Sequence, residues 1–148
     1  MDKKRIANIL IQAFQKGNKL LIAGNGGSAA MSSHFAAELV GRFEKERIAL
    51  PAIALTTDTS ILTAWSNDYH FYDVFRRQIE ALGQKDDVFI TLSTSGRSSN
   101  LLDAMEYAKK KGLIVIDFPR KDSSTAKIQE YQLKLMHDIV RIVEKAFL

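Results

Sequence analysis

Lys19 to Phe43, KLLIAGNGGSAAMSSHFAAELVGRF, is the stretch from which the rest of the chain can be read. Leu20-Leu21-Ile22-Ala23 is a short apolar run that gives way at once to Gly24-Asn25-Gly26-Gly27-Ser28, and a helix-compatible segment follows from Ala29. The expected succession is a buried strand, a tight glycine turn and a helix N-terminus. Glycine lets backbone come close to a bound group, and the first N–H groups of a helix have no intrahelical partner. Asn25, Gly26, Gly27 and Ser28 are therefore candidate cradle residues for an anion, phosphate first among them. The turn does not complete a GxGxxG dinucleotide fingerprint, since residue 29 is Ala. Further along the same helix, His34 and Glu38 stand four apart on one face, which sets an imidazole beside a carboxylate near the cradle. Arg42, one turn beyond Glu38, is placed either to hold a substrate oxygen or to pair with Glu38. An ordinary turn and an exposed helical pair could each produce these letters separately, so it is their conjunction that points to a ligand.

The chain has 148 residues, 46% hydrophobic and 26% charged, the length and composition of one soluble domain spanning 1–148. No apolar run is long enough for a bilayer, and Met1-Asp2-Lys3-Lys4-Arg5 lacks the features of a secretory signal, so a cytoplasmic location and no membrane partner are expected. Without cysteine, disulfides, CxxC zinc sites and thiol catalysis are excluded. The net charge of +4 is modest and its Lys/Arg residues are scattered. Lys109-Lys110-Lys111, the one tight run, reads as the solvated end of a helix, and no nucleic-acid partner is expected.

Residues 3–16 carry Ile6, Ile9, Leu10, Ala13 and Phe14 at helical spacing, closed by Gly17-Asn18. After the 19–23 strand and its helix, residues 51–55 read as a second strand, followed by the cap-forming cluster Thr56 to Ser60. Trp65, Asn67, Asp68, Tyr69, His70, Phe71 and Tyr72 form an aromatic and polar knot ahead of a helix over 73–82. Residues 87–92 are a third strand, and they discharge into Ser93-Thr94-Ser95-Gly96-Arg97-Ser98-Ser99-Asn100 before a helix over 100–111. Capping needs one hydroxyl, and this loop offers several at a second strand-to-helix turn, a donor-rich nest suited to phosphate oxygens. Residues 113–119 read as a fourth strand. A last helix over 123–148 places Gln129 and His137 eight apart, projecting roughly the same way. The alternation predicts an α/β fold, a three-layer sandwich in which helices cover a parallel sheet, with the site at the strand carboxyl ends.

GNGGSAA at 24–30, HFAAELVGRF at 34–43, LPAIALTTDTS at 50–60, LTAWSNDYHFYDVFRRQIEALG at 62–83, STSGRSSN at 93–100 and TAKIQE at 125–130 together resemble the SIS (sugar isomerase) fold, a flavodoxin-like arrangement. Within it they resemble the phosphoheptose isomerases, which interconvert sedoheptulose 7-phosphate and D-glycero-D-manno-heptose 7-phosphate. The resemblance implies Ser28, Ser93, Thr94, Ser95 and Ser98 as phosphate holders, with Asn25, Gly26, Gly27, Arg42, Asn67, Asp68 and Gln129 also against the substrate. It implies Glu38 as the base that moves a proton between C1 and C2, and His137 as the partner acid. It further implies zinc on His34, Glu38, Gln129 and His137, a homotetramer with shared pockets, and heptose supply for lipopolysaccharide or another surface glycan. An aldose–ketose isomerisation through an enediol needs these functions: one group for the carbon proton and another for the oxygens.

Two alternatives stay open at this level. Relatives with the same glycine turn bind a replication initiator without catalysis, but they lack the glutamate and histidine present here as Glu38 and His137. A SIS isomerase of another phosphosugar would carry the same phosphate loops. The sequence also departs from the family. The resemblance implies a glycine-rich loop, a helix and a fifth strand between the strand at 113–116 and the IQE helix. Here Leu113-Ile114-Val115 runs almost directly into Asp117-Phe118-Pro119. Either a segment was deleted or two pieces are joined across one; the second fits better, because IDFP resembles the family's last strand and KKKGLIV the approach to the one before.

Overall fold

A computed structural model describes residues 1–148. In chain order the elements are α1 (Lys3–Gln15), β1 (Leu20–Gly24), α2 (Gly27–Val40), β2 (Ala52–Ala54), α3 (Thr59–Asp68), a single 3₁₀ turn (Phe71–Asp73), α4 (Val74–Leu82), β3 (Val88–Leu92), α5 (Ser99–Lys111), β4 (Ile114–Asp117) and α6 (Thr125–Lys145). The four strands form one parallel sheet in the order β2-β1-β3-β4, flanked by six helices. Leu20 is in register with Val88 and Ala52, and Val88 with Ile114.

The period of two along the central strands builds the layers. Leu20 and Ile22 of β1 and Val88, Ile90 and Leu92 of β3 face a core closed by α1, α2 and α6. Leu21, Ala23 and Phe89 face the opposite core with Val74, Phe75 and Ile79 of α4 and Leu101, Ala104 and Ala108 of α5. Both faces are buried, so β1 and β3 read as unbroken apolar runs without alternation.

Element positions follow the sequence reading closely, with differences that have local causes. The second helix begins at Gly27, two residues before Ala29, because nothing prevents glycine from taking the first helical position. A helix that the sequence did not announce, α3, runs from the cap-forming cluster into the first part of the knot that opens with Trp65. Asp58 caps it by accepting the Ile61 N–H at 2.9 Å, and none of its residues is buried, so no apolar stripe marks it. Lys109, Lys110 and Lys111 occupy the last turn of α5, as read. The backbone passes from β4 through residues 118–124 straight into α6, and the sheet has no fifth strand.

With β1 central and its neighbours reached by crossovers in opposite directions, the sheet changes direction between β1 and β3. The crevice outside the carboxyl ends of those two strands is where an open α/β sheet places ligands.

Candidate active site

Two glycine- and hydroxyl-bearing turns meet at that crevice. Asn25 after β1 and Asn100 at the start of α5 exchange side-chain amides, Nδ2 to Oδ1 at 2.9 Å and 3.0 Å. The pair bolts the turns together. Around it lies a cleft of about 490 Å³ lined by Asn25, Gly26, Ser98, Ser99 and Asn100, with Phe71 and Tyr72 as its apolar wall. A smaller recess beside it is bordered by Gly24, Ala29 and Thr56.

The turns owe their donor character to backbone more than to side chains. No backbone hydrogen bond within the chain uses the N–H groups of Asn25, Gly26 and Gly27, or of Thr94, Ser95, Ser98, Ser99 and Asn100. These are the orphan donors of two helix starts, aimed with the positive ends of α2 and α5 at one crevice. The hydroxyls of Ser93 and Ser95 brace the loop: they accept the Gly96 N–H at 3.0 Å and the Arg97 N–H at 3.1 Å. Ser98, at the N-cap, makes no side-chain cap and keeps its hydroxyl free for a ligand. Ser28 is buried beneath the first turn. A Cβ on Gly24 would stand 2.7 Å from the Ser28 carbonyl oxygen, so β1 and α2 touch here in a way only glycine permits.

Both α2 and α6 start at the carboxyl edge of the sheet and run back parallel to each other. At their starts Gly27 faces Gln129, whose Nε2 lies 2.7 Å from where a Gly27 Cβ would be. Two turns on, His34 faces His137, the rings 5.3 Å apart and edge to face. His34 Nε2 lies 2.9 Å from Glu38 Oε1, and one ligand atom each from His34, Glu38 and His137 falls within 4.8 Å of the others. The ring of Phe43 stacks on His137 with centroids 5.1 Å apart. Burial lowers the pKa of His137 below the ordinary imidazole range, and the neighbouring His34 lowers it further, with Glu38 opposing. His137 is therefore neutral near pH 7, the form that binds a metal ion or donates an N–H. Two imidazoles and a carboxylate at this spacing are a donor set that suits a divalent ion of intermediate softness.

Other sequence-derived residues lie outside this convergence. Arg42 is exposed and pairs with Glu46 at 3.4 Å, while Glu38 pairs with His34; of the two roles open to Arg42, the contact with Glu38 is not the one formed. Asn67 and Asp68 are exposed at the end of α3, where Asn67 Nδ2 donates to Asp68 Oδ1 at 3.1 Å, and neither lines the cleft. Conversely, Asn100, Phe71 and Tyr72 border the cleft without having been singled out as ligands. Asn100 was legible in principle, as a buried-type amide at a helix start behind a hydroxyl loop.

A family model described as "SIS domain" matches residues 3–118. The phosphoheptose isomerase of Geobacter metallireducens is 48% identical over 155 residues, 94% of this chain and 82% of that protein. The chain belongs to the SIS-domain family, in its phosphoheptose isomerase branch. Among solved structures, the phosphoheptose isomerase of Francisella tularensis superposes with a TM-score of 0.92 at 32% identity, and that of Neisseria gonorrhoeae with 0.90 at 36%. Both cover 97% of this chain, which spans 85% of theirs. The aligned stretch of 155 residues is longer than this chain of 148, so the Geobacter phosphoheptose isomerase has residues inside the match that this member lacks.

Proposed function

We propose that this enzyme interconverts sedoheptulose 7-phosphate and D-glycero-D-manno-heptose 7-phosphate through an enediol. The observation that carries the reading is the meeting of His34, Glu38 and His137 in one chain, two helical turns along α2 and α6 from an amide-lined crevice. A sugar phosphate that reacts at one end and is charged at the other fits a site divided in this way. The amides of the two turns, with the hydroxyls of Ser28, Thr94 and Ser98, hold the phosphate.

In the ketose-to-aldose direction the Glu38 carboxylate takes a proton from C1. The electron pair becomes the C1–C2 double bond, and O2 gains a proton from His137. Glu38 then returns its proton to C2 while O1–H gives its proton to His137, leaving the aldehyde at C1. The lowered pKa of His137 favours the neutral ring, whose N–H stabilises the charge developing on O2 as a hydrogen-bond donor. His34, Glu38 and His137, joined by Gln129, would hold a zinc ion, which when bound supplies a positive charge that stabilises the enediolate. We place the reaction in the cytoplasm, as heptose supply for lipopolysaccharide or another surface glycan, in a homotetramer whose contacts cover the exposed aromatics Phe71 and Tyr72 beside the cleft.

A binding protein for a replication initiator has no use for an acid and a base held within 4.8 Å of each other, so the catalytic reading is preferred. The test is an isomerase assay on sedoheptulose 7-phosphate with and without a chelator. Conversion that the chelator abolishes and zinc restores supports the reading, whereas no conversion with the metal-loaded protein overturns it.

A further inference from the structure

Two enclosed charges take no part in that chemistry. Arg47 and Glu144 have side chains 0% and 2% exposed, and Arg47 Nε lies 3.1 Å from Glu144 Oε2. Arg47 comes from the turn behind α2 and reaches back into the end of that helix. Its Nη1 donates to the carbonyls of Leu39 at 2.9 Å, Gly41 at 3.1 Å and Ile48 at 3.1 Å, and its Nη2 donates to the carbonyl of Glu38. Several of these are carbonyls that a helix C-terminus leaves without partners. From α6, Glu144 receives three successive backbone N–H groups, those of Phe43 at 3.1 Å, Glu44 at 2.9 Å and Lys45 at 2.8 Å.

Stability alone is a weak reason for such a pair, since desolvating two charges offsets most of their attraction and apolar replacements are often as stable. What the pair determines is geometry. Glu38 is a residue whose carbonyl Arg47 holds. Phe43, fixed through its N–H by Glu144, stacks on His137, and the Arg141 guanidinium covers the Phe43 ring at 5.4 Å. His137 and Glu144 are seven residues apart on α6, two turns along one face. One ion pair therefore ties the base-bearing end of α2, the turn after it and the imidazole-bearing helix into a single unit.

We propose that Arg47 and Glu144 are positioning residues of the reaction centre, holding Glu38 and the Phe43 ring in fixed relation to His137. The proposal rests on the reading of Glu38 and His137 as the proton-transfer pair. It is tested on the full-length protein with Glu144→Gln, which keeps the size of the side chain. Two readouts are used: the NMR shift of the His137 ring protons, which lie near the face of Phe43, and the separation of kcat from KM on sedoheptulose 7-phosphate. The expected result is a moved His137 resonance and a kcat about 10 to 100 times lower per folded molecule, with KM unchanged because the phosphate cradle lies two turns away. Arg47→Lys keeps a positive charge opposite Glu144 but loses the guanidinium fork onto the carbonyls at the end of α2; it is expected to shift the same resonance and lower kcat, so it decides the matter if Glu144→Gln does not fold. A folded Glu144→Gln protein with native His137 resonances and native kcat overturns the proposal, as does a folded Arg47→Lys protein with both unchanged. If the unmodified enzyme fails to convert the sugar phosphate, the functional reading fails, and the His137 resonance still reports whether the pair sets the stack.

Discussion

The two ends of the α2–α6 layer are built from different materials. At the carboxyl edge of the sheet the crevice is made mostly of main-chain N–H groups, with Asn25 and Asn100 as its bolt. Two turns away the cluster of His34, Glu38 and His137 is made entirely of side chains, steadied by Phe43. A cradle of amides shares its load among many donors, none of which a substitution removes directly. A side-chain cluster has one atom for each task. Damage to the first should weaken binding by degrees, and damage to the second should stop the reaction.

The largest effect is expected from Glu38→Gln, which keeps shape and removes the carboxylate proposed as the base; kcat is expected to fall about 1,000-fold with little change in KM. His137→Asn should lower kcat about 100-fold, since a hydrogen-bond donor remains but not one that transfers a proton as readily. Steady-state kinetics on the heptose phosphate checks both. At the other end, Ser98→Ala should raise KM about tenfold with kcat unchanged, the cost of one hydrogen bond to a charged group among many. Gly24→Ala tests the backbone itself. Its Cβ would meet the Ser28 carbonyl at 2.7 Å, and a loss of about 1–3 kcal/mol in denaturant unfolding is expected, with KM raised through the displaced turn.

The smallest effect lies at the amino end of the sheet, remote from both regions. Burial pushes the Asp87 carboxyl up, but the Lys19 ammonium at 2.6 Å, the Asn18 amide and the N–H groups of Lys19 and Gln84 outweigh it and hold its pKa below the ordinary carboxylate value. A depressed folded pKa contributes stability above the unfolded value, and that contribution is lost as pH falls through the folded one. Acidification below about pH 4 should therefore lower the unfolding midpoint of the native protein more than that of Asp87→Asn. A steeper acid loss in the variant would contradict this.

Much of this was legible before any coordinates. Strands buried on both faces announce themselves as apolar runs, and a glycine turn between a strand and a helix announces an anion site. The spacing of His34 and Glu38 is local, so one helix brings them together. His137 is different: its spacing put it on one face with Gln129, but as a lone imidazole on an amphipathic helix it carries no local sign of chemistry, and only the resemblance implied a role for it. The buried pair of Arg47 and Glu144 was illegible for a related reason, because its partners lie far apart in sequence and each alone reads as a solvated charge. Helix α3 escaped notice because it buries no residue fully, resting only Leu62 and Trp65 partly against the core, and so shows no continuous apolar stripe. Asn67 and Asp68, carried over from the resemblance, sit at the end of that helix in mutual contact, outside the cleft lining.

The most direct measurement is proton exchange during turnover in heavy water, followed by NMR of the recovered heptose phosphates. If residue 38 shuttles the carbon proton within reach of the residue 137 imidazole and trades it with solvent while the enediol lasts, the unmodified enzyme should place deuterium at the interconverting carbons and Glu38→Gln should do so about 1,000-fold more slowly, although both bind the sugar phosphate equally well. Deuterium entering at the native rate in Glu38→Gln would show that another group moves the proton.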